Sequence, residues 1–436
     1  MQQQPTLSRS ITPLMLWGLG VGYVISGMFF GWNLGLEKGG SYGFAVATIL
    51  IIILYACFTF GYAELACAIP KAGGAFDYAN KALGIRWGFI AGLSQNIEFI
   101  FAPPAIALGI GSYMHIFLPQ LSPLTIAIGA YIFFTAINIY GVQLAAKFEL
   151  SVTIISLVSL LIFAIICLPY FSWKAFSSNS LPQGWQGSFA SIPFAIWFFL
   201  GIEGVANVAE ETINPKKTLV RGFGAALLTL IIVCILSFTA SVGISGWEKI
   251  VYDATGNISD APLPLALAQV RPSESFIHIA FVIAGIAGLV ASFHGIILSA
   301  GRANYEFSKM KCFPAVFGKI HRRFQTPANA LLLNMFLGIG ILLTGKTAEI
   351  ITIAVFAALS LYILSMFSLI VLRKKMPLLE RPFVVPFYPY SPILAISIGT
   401  LSLLTMVWYN SVLFTIFISV VIFCFLVFIF INRNKV

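Results

Sequence analysis

The sequence predicts an all-α polytopic membrane protein with twelve transmembrane helices, and three observations carry that prediction. Hydrophobic residues make up 59% of the 436-residue chain and charged residues only 9%, whereas a soluble domain carries roughly 25% charged residues. Twelve segments are apolar over the roughly 20 residues that a spanning helix needs. Two of these segments, one in each half of the chain, carry glycine where a spanning helix should be most regular.

The spans follow one another along the chain, so we predict one integral membrane domain over residues 1–436. The first and sixth spans are interrupted and each is followed by four more, which predicts two five-span repeats of the LeuT-like type, at 13–171 and 189–372. Because five is odd, the second repeat would be inverted, and two additional helices would occupy 390–431. The predicted spans are 13–37, 42–67, 86–117, 123–141, 148–171, 189–213, 222–246, 275–301, 328–344, 347–372, 390–409 and 411–431.

The distribution of Lys and Arg predicts the orientation. If the N-terminus lies inside, 20 of the 25 basic residues fall on the inner side, and only Lys38, Lys174, Lys249, Arg271 and Lys346 fall outside. Cytoplasmic loops carry such an excess, so we predict a multi-pass protein of the cytoplasmic (inner) cell membrane with both termini in the cytoplasm. The net charge of +10 then reflects topology and contact with anionic membrane lipid, and no nucleic-acid partner is predicted.

The interrupted spans predict where a solute binds. A helix broken inside the bilayer exposes backbone N–H and C=O groups, which is tolerated only where the break lines a cavity. Matching breaks in the two halves of a chain are typical of the midplane site of a secondary transporter. We assign to this site Ile25, Ser26, Gly27 and Met28 of the first break, and Trp197, Gly201, Ile202, Glu203 and Gly204 of the second.

Ser26 and Gly27 are predicted to present N–H donors at the start of a half-helix, where the helix dipole favours a negative group. The alternative is close packing, because Gly27, Gly31 and Gly35 repeat at the four-residue spacing of small residues at helix contacts. For Trp197 the functional interpretation is an aromatic face for a cationic amine, and the alternative is packing against lipid.

Two carboxylates lie within predicted spans, where ionisable residues normally face a cavity or a partner. Glu203 is predicted as a gate or proton site, with a hydrogen bond to the open backbone of helix 1 as the structural alternative. Glu98 precedes Pro103 and Pro104, which cannot donate to the carbonyls four residues earlier. A carboxylate beside freed carbonyls suits an ammonium group, which has three donors and no acceptor; a simple proline kink is the alternative.

Other polar residues are candidates for coupling or gating. Glu64, close in sequence to Lys71, is predicted to be structural or gating. His294 is a candidate because histidine titrates near neutral pH, although a lone membrane histidine is more often a packing residue. The six cysteines form no CxxC pair, and the chain contains no HExxH, P-loop or nucleophile-elbow motif. We therefore predict no enzyme activity, no cofactor and no metal site.

Four groups of residues resemble the amino acid–polyamine–organocation transporters, in the same order and at the corresponding spans. They are ISGMF at 25–29; EL at 64–65 with PKAGGAF at 70–76; WFFLGIE at 197–203 with EETINPKK at 210–217; and SAGR at 299–302 with FP at 313–314 and TP at 326–327. A narrower likeness, to the ethanolamine permease subgroup, rests on SGMFFGWNLGL at 26–36 and EFIFAPPA at 98–105.

The resemblance implies a secondary active transporter with alternating access, in which helices 1, 2, 6 and 7 rock against the rest. It implies uptake of a small ethanolamine-like amine by proton symport or exchange, with an amino acid symporter or antiporter as the alternative and a channel or sensor as a third possibility. Ile25 stands where many members have glycine, which argues against carboxylate binding. Where some members have a lysine in helix 5, this chain has the hydroxyls Thr153 and Ser156, so the coupling ion, proton or sodium, stays open.

Overall fold

The computed structural model describes residues 11–71, 73–140 and 145–431, with side chains described from residue 149 onward in the last range. Its elements are almost all helical. Within these ranges, ten helices are long and apolar enough to cross a membrane, and two shorter apolar helices cover Pro13–Val24 and Ala328–Leu342. These findings confirm the predicted all-α polytopic class. Residues 1–10 and 432–436, for which we predicted a cytoplasmic location, lie outside the described residues, and the division into inverted repeats stays a prediction.

The helices are numbered in chain order. They are α1 (Pro13–Val24), α2 (Ser26–Phe29), α3 (Leu36–Ala68), α4 (Ala75–Leu83), α5 (Ile85–His115), α6 (Pro123–Tyr140), α7 (Ala145–Cys167), α8 (Trp173–Phe176), α9 (Gln186–Ala190), α10 (Ile192–Trp197), α11 (Pro215–Ser245), α12 (Glu248–Val251), α13 (Pro262–Ala268), α14 (Phe276–Lys309), α15 (Ala328–Leu342), α16 (Thr347–Lys375), α17 (Tyr390–Tyr409) and α18 (Ser411–Ile431); 3₁₀ helices cover Trp32–Gly35, Leu168–Tyr170 and Ile202–Glu211.

The first span is interrupted one turn later than the sequence predicted. Ile25, between α1 and α2, keeps right-handed helical angles (φ −60°, ψ −24°). The sharp departure comes at Phe30, which is extended, and at Gly31, whose φ is +86°. A positive φ strains residues that carry a Cβ, so Gly31 makes the turn. Gly27 lies inside a helical turn, and its role is explained by the contact described below.

The second span breaks where predicted. Helix α10 ends at Trp197, Gly201 adopts the left-handed conformation (φ 99°, ψ −6°), and the chain continues as a ten-residue 3₁₀ helix to Glu211. Runs of 3₁₀ helix longer than 3–4 residues are uncommon and often mark a hinge or a strained segment. This geometry leaves the middle of the span without regular α-helical hydrogen bonding.

Helix α5 lies at the centre of the bundle and packs against α4, α6, α14, α15 and α16, while α1 packs against α7, α11 and α14. At one end of the bundle, Ile11 forms a short parallel bridge with Thr212, where the 3₁₀ helix ends. We call this end, which also carries Arg302, Arg373 and Arg381, the basic end. At the other end, the ring of Trp32 stacks on Phe198 with centroids 5.4 Å apart, which joins the segment after the first break to the second.

Asp260, in the loop between α12 and α13, is a buried acid for which we expect a pH-dependent contribution to stability. Its Oδ2 accepts a hydrogen bond of 2.8 Å from Thr347 Oγ1 at the start of α16, and burial raises its pKa to about 6. A raised carboxyl pKa means that the folded protein binds the proton more tightly than the unfolded chain. The stabilising effect of that proton is therefore lost as the pH rises from about 4 to about 6.

We expect Asp260→Asn to remove this pH dependence. The amide oxygen can still accept from Thr347, but it carries no charge to bury, so the variant should melt at a higher temperature than the parent above pH 6. The difference should shrink toward pH 4. Melting curves of the two purified proteins across this range measure the effect, and parallel pH profiles would contradict it.

Candidate functional site

A small cavity of about 10 Å³, roughly the room that one water molecule needs, lies between the two interrupted spans. Its walls come from α2, α5, α14 and the second break: Ser26, Glu98, Phe99, Ala102, Ile106, Trp197, Leu200, Gly201 and Ile296. Four of the predicted substrate residues, Ser26, Glu98, Trp197 and Gly201, therefore line one space. The other six, Ile25, Gly27, Met28, Ile202, Glu203 and Gly204, are buried next to these residues but do not line it.

Trp197 joins the two interruptions. Its indole Nε1 donates a 3.1 Å hydrogen bond to the carbonyl of Phe30, the residue at which the first span breaks, and its ring meets Phe30 edge-on with centroids 5.6 Å apart. Trp197 is 3% exposed, so the alternative prediction that it faces lipid is wrong. The indole satisfies a carbonyl that the break would otherwise leave open, and the ring remains part of the cavity wall.

Gly27 is required by the contact between these two spans. A Cβ on Gly27 would lie 2.4 Å from the carbonyl oxygen of Trp197, and Gly31 is similarly close to the Trp197 ring, at 2.5 Å from Nε1. Real Cβ atoms do not approach other atoms within 3.0 Å. The backbones of α2 and α10 therefore touch directly, as small residues allow in membrane proteins.

We expect Gly27→Ala to destabilise the protein by about 1–3 kcal/mol, the usual cost of overpacking, because the atom that it meets belongs to the backbone and cannot rotate away. Gly340→Ala is the matched control, since Gly340 lies in α15 and a Cβ there meets nothing within 4 Å. Melting temperatures in detergent compare the two. Equal stability of both variants would show that the α2–α10 contact is looser than described.

Ser26 is held by a serine that the sequence analysis did not single out. Ser292 of α14 donates to the carbonyl of Tyr23 at 2.6 Å, and the Ser26 and Ser292 hydroxyls are 2.8 Å apart. Since the Ser292 proton is used on Tyr23, Ser26 donates to Ser292. The hydroxyl of Ser26 thus offers the cavity an acceptor rather than a donor. Nothing in the sequence around Ser292 distinguishes it from other small polar residues of membrane helices.

The carboxyl groups of Glu98 and Glu203 face each other. Glu203 Oε2 accepts a 2.9 Å hydrogen bond from the hydroxyl of Tyr362 in α16, which in turn lies 3.0 Å from the hydroxyl of Tyr55. Among the described residues, no other side chain donates a hydrogen bond to either oxygen of Glu98 or to Oε1 of Glu203. The two carboxyl groups are close enough to share a hydrogen bond if one of them carries a proton. The structural alternative for Glu203, a hydrogen bond to the backbone of the first span, is wrong, because its bonded oxygen accepts from Tyr362.

One expected feature of the Glu98 region is absent from the cavity. The proline pair does lie within α5, but the carbonyl of Phe99 that it frees accepts a 3.0 Å hydrogen bond from the side chain of Asn334. Asn334 is itself fixed by the Tyr131 hydroxyl at 3.1 Å. The prediction that this carbonyl is open to an ammonium group is therefore wrong, because an amide from α15 occupies it.

Glu64 lies away from the cavity, at the basic end. Its two oxygens accept hydrogen bonds of 2.8 and 2.5 Å from Arg373, and Oε2 also accepts one of 2.7 Å from the backbone N–H of Val385. Arg381 Nε adds a contact of 3.6 Å. Lys71, its neighbour in sequence, instead approaches Asp77 at 3.9 Å. Glu64 thus ties α3 to α16 and to the segment after it.

The remaining coupling candidates do not line the cavity either. Ser156 donates to the carbonyls of Val152 at 2.9 Å and Ala284 at 3.3 Å, which joins α7 to α14. His294 Nδ1 lies 3.9 Å from Oε2 of Glu149, an acid that the sequence analysis missed. Within the described ranges, no cluster of three or more His, Cys, Asp or Glu side chains is arranged to hold a metal ion.

Two interrupted helices that meet at a small cavity with a buried glutamate in its wall are typical of a polytopic membrane transporter. The chain belongs to the amino acid permease family, whose model matches residues 11–435. It is 28% identical to an uncharacterized transporter of Rhizobium meliloti (strain 1021), over 88% of this chain and 83% of the relative.

Two relatives from Bacillus subtilis (strain 168) are named by their solutes. The methylthioribose transporter is 25% identical over 90% of this chain and 87% of its own length. The branched-chain amino acid permease is also 25% identical, over 96% and 92% of the two chains. Similar chains thus carry names that refer to solutes with and without a carboxylate.

Proposed function

We propose that this protein imports a small ethanolamine-like amine across the cytoplasmic membrane by alternating access around the cavity. The observation that carries the proposal is the pair of facing acids, Glu98 and Glu203. Two adjacent buried carboxylates repel each other unless a proton or a cation lies between them. An ammonium group supplies both the charge and the hydrogen-bond donors that the three free carboxylate oxygens lack.

The other walls of the cavity favour the same kind of solute. The Trp197 ring offers a face that attracts cations, and the hydroxyl of Ser26 is left as an acceptor. Among the described residues that line the cavity, none is Lys, Arg or His. A solute carboxylate would therefore lie near two acids with no cationic side chain to balance it.

The second candidate is transport of an amino acid at the same site. It is favoured by the branched-chain permease and by a serine/threonine exchanger of Bacillus subtilis, 26% identical over 77% of this chain. In that case the backbone N–H groups of α2 would hold the carboxylate, and the two acids would hold the amino group. A channel or sensor is the third candidate, and saturable uptake with exchange of labelled for unlabelled solute would exclude a channel.

The proposal includes the orientation and the coupling. Both termini would lie in the cytoplasm, and proton symport or exchange would drive uptake. The first repeat (13–171) and the second (189–372) would supply the two broken helices. Glu203, which we also considered for coupling, is assigned to the amine because it faces Glu98.

A thermal-shift panel on the detergent-purified protein tests the proposal. Ethanolamine, alanine, glutamate, arginine and agmatine are compared, since a ligand that binds only the folded state raises the melting temperature by mass action. We expect ethanolamine, which has no carboxylate, to raise the melting temperature of the protein. Stabilisation by alanine but not by ethanolamine would replace the amine proposal with the amino acid one.

A further inference from the structure

We propose that Glu149 and His294 form a proton-binding site, separate from the solute cavity, which carries the coupling proton. The inference rests on the proposed transport function and adds to it the site of the coupling ion. Glu149 lies in the first turns of α7 and His294 in the middle of α14. Neither residue lines the cavity.

The first argument is that this pair is buried and incomplete. Glu149 is 2% exposed and His294 is 8% exposed. Glu149 Oε1 and His294 Nδ1 both lack a hydrogen-bond partner among the described residues, and the 3.9 Å between Nδ1 and Oε2 is too long for a hydrogen bond. An unsatisfied buried polar group is costly, so two of them facing each other call for an explanation.

A single proton completes the pair. With one proton, either Glu149 is neutral, or His294 is charged and forms an ion pair with the carboxylate 3.9 Å away. Without it, a charged carboxylate is buried with its Oε1 lacking a donor among the described residues, which is unfavourable. The closed conformation therefore retains the proton, and release requires that water reach the site.

Among the described side chains, few other charged groups lie close to this pair. Tyr23 of α1 faces Glu149, and beyond Tyr23 lies the ion pair of Arg302 with Glu211, joined at 2.8 Å. No Lys or Arg side chain forms an ion pair with Glu149 in the part of the chain whose side chains are described. Thr153, one turn further along α7, donates instead to the carbonyl of Gly18 at 3.4 Å. Among the described side chains, His294 is thus the basic group that lies nearest to Glu149 in an ion-pair contact.

One short segment, residues 22–26 at the end of α1 and the start of α2, lies between the pair and the cavity. A Cβ on Gly22 would lie 2.8 Å from Glu149 Oε1, and the Tyr23 ring packs against Gly295 beside His294. The Tyr23 carbonyl is bound by Ser292, which also holds Ser26 at the cavity wall. Residues 22–26 therefore contact both sites, so movement of this segment would change access to the proton and to the solute together.

The test uses the full-length protein in liposomes that contain a pH-sensitive dye, with labelled ethanolamine and, in parallel, labelled alanine outside. For the parent protein, we expect external acid to stimulate uptake and the dye to report proton entry with the solute. Glu149→Gln should lose both the stimulation and the proton entry, by about tenfold or more, while exchange of labelled for unlabelled solute stays measurable. The exchange shows that the variant is folded.

His294→Asn provides a second readout. It should shift the pH at which uptake is half-maximal, because Glu149 would lose its basic partner. Infrared difference spectra, recorded between acid and neutral pH without solute, should contain a protonated-carboxyl component that is lost in Glu149→Gln, whereas the component from Asp260 should persist. The control is Glu349→Gln, because Glu349 is an exposed acid paired with Lys346 at the other end of the bundle.

The outcomes separate this inference from the proposed function. Proton entry that persists in Glu149→Gln would overturn the inference, and so would solute uptake by the parent protein without proton entry; both leave the transport function standing. Identical protonated-carboxyl bands in the parent protein and Glu149→Gln would also overturn it. If the parent protein took up neither solute although that band depended on Glu149, the proton site would stand and the proposed function would fail.

Discussion

Replacing Glu98 with Gln is expected to abolish amine uptake almost completely. The substitution preserves the shape of the side chain but removes the charge that faces Glu203. Truncation of one partner of a buried charge pair costs about 2–5 kcal/mol, which corresponds to a roughly 30-fold or greater loss of affinity. Titration of ethanolamine against the melting temperature, together with uptake into liposomes, measures the loss.

Glu203→Gln tests the same pair from the other side. The amide oxygen can still accept from Tyr362, so the fold should be retained while amine affinity falls. Because the two acids act on one ammonium group, the double substitution should cost less than the sum of the single ones. Glu349→Gln is the control for the loss of one negative charge. Unchanged affinity in Glu98→Gln would remove the central support for an amine substrate.

If Glu203 instead took part in coupling, its amide variant would lower proton-driven uptake more than exchange. Equal loss of both activities is what a substrate-binding role predicts, since both require the solute to bind. The same measurement therefore distinguishes Glu203 from Glu149, for which we expect exchange to persist.

The all-α polytopic class and the two interruptions could be predicted from the sequence because they depend on local composition. Where the first interruption falls could not be predicted. Gly27 and Gly31 look alike in sequence, but Gly31 makes a turn with positive φ and Gly27 admits the Trp197 carbonyl. Only the position of α10 separates a glycine needed for backbone conformation from a glycine needed for close packing.

The candidate site shows the same limit. Glu98 and Glu203 could be identified because isolated acids inside apolar spans are costly. That they face each other, however, depends on how α5 meets the second break. Glu149 was missed because it stands at the predicted end of a span, close to Lys147, where a charge is unremarkable. Asn334 donates a hydrogen bond to the Phe99 carbonyl, and Ser292 is hydrogen-bonded to the Ser26 hydroxyl. Nothing in the sequence indicates either interaction.

Glu64→Gln is expected to be the most destabilising single substitution that we predict. It leaves the guanidinium groups of Arg373 and Arg381 at the basic end without their carboxylate, although the amide can still serve some of the hydrogen bonds. Breaking a buried ion pair by removal of one partner costs about 3–5 kcal/mol. The melting temperature in detergent and the yield of monodisperse protein both measure this cost.

A matched control is available at the same end of the bundle. Lys216 and Glu380 also form an ion pair, but both side chains are more than half exposed, and exposed pairs contribute about 0–1 kcal/mol. Glu380→Gln should therefore leave the melting temperature nearly unchanged. If both variants melted alike, then Glu64 would not hold α3 to α16. A Glu64→Gln protein that folds well but loses uptake would instead indicate that this ion pair opens and closes during the transport cycle.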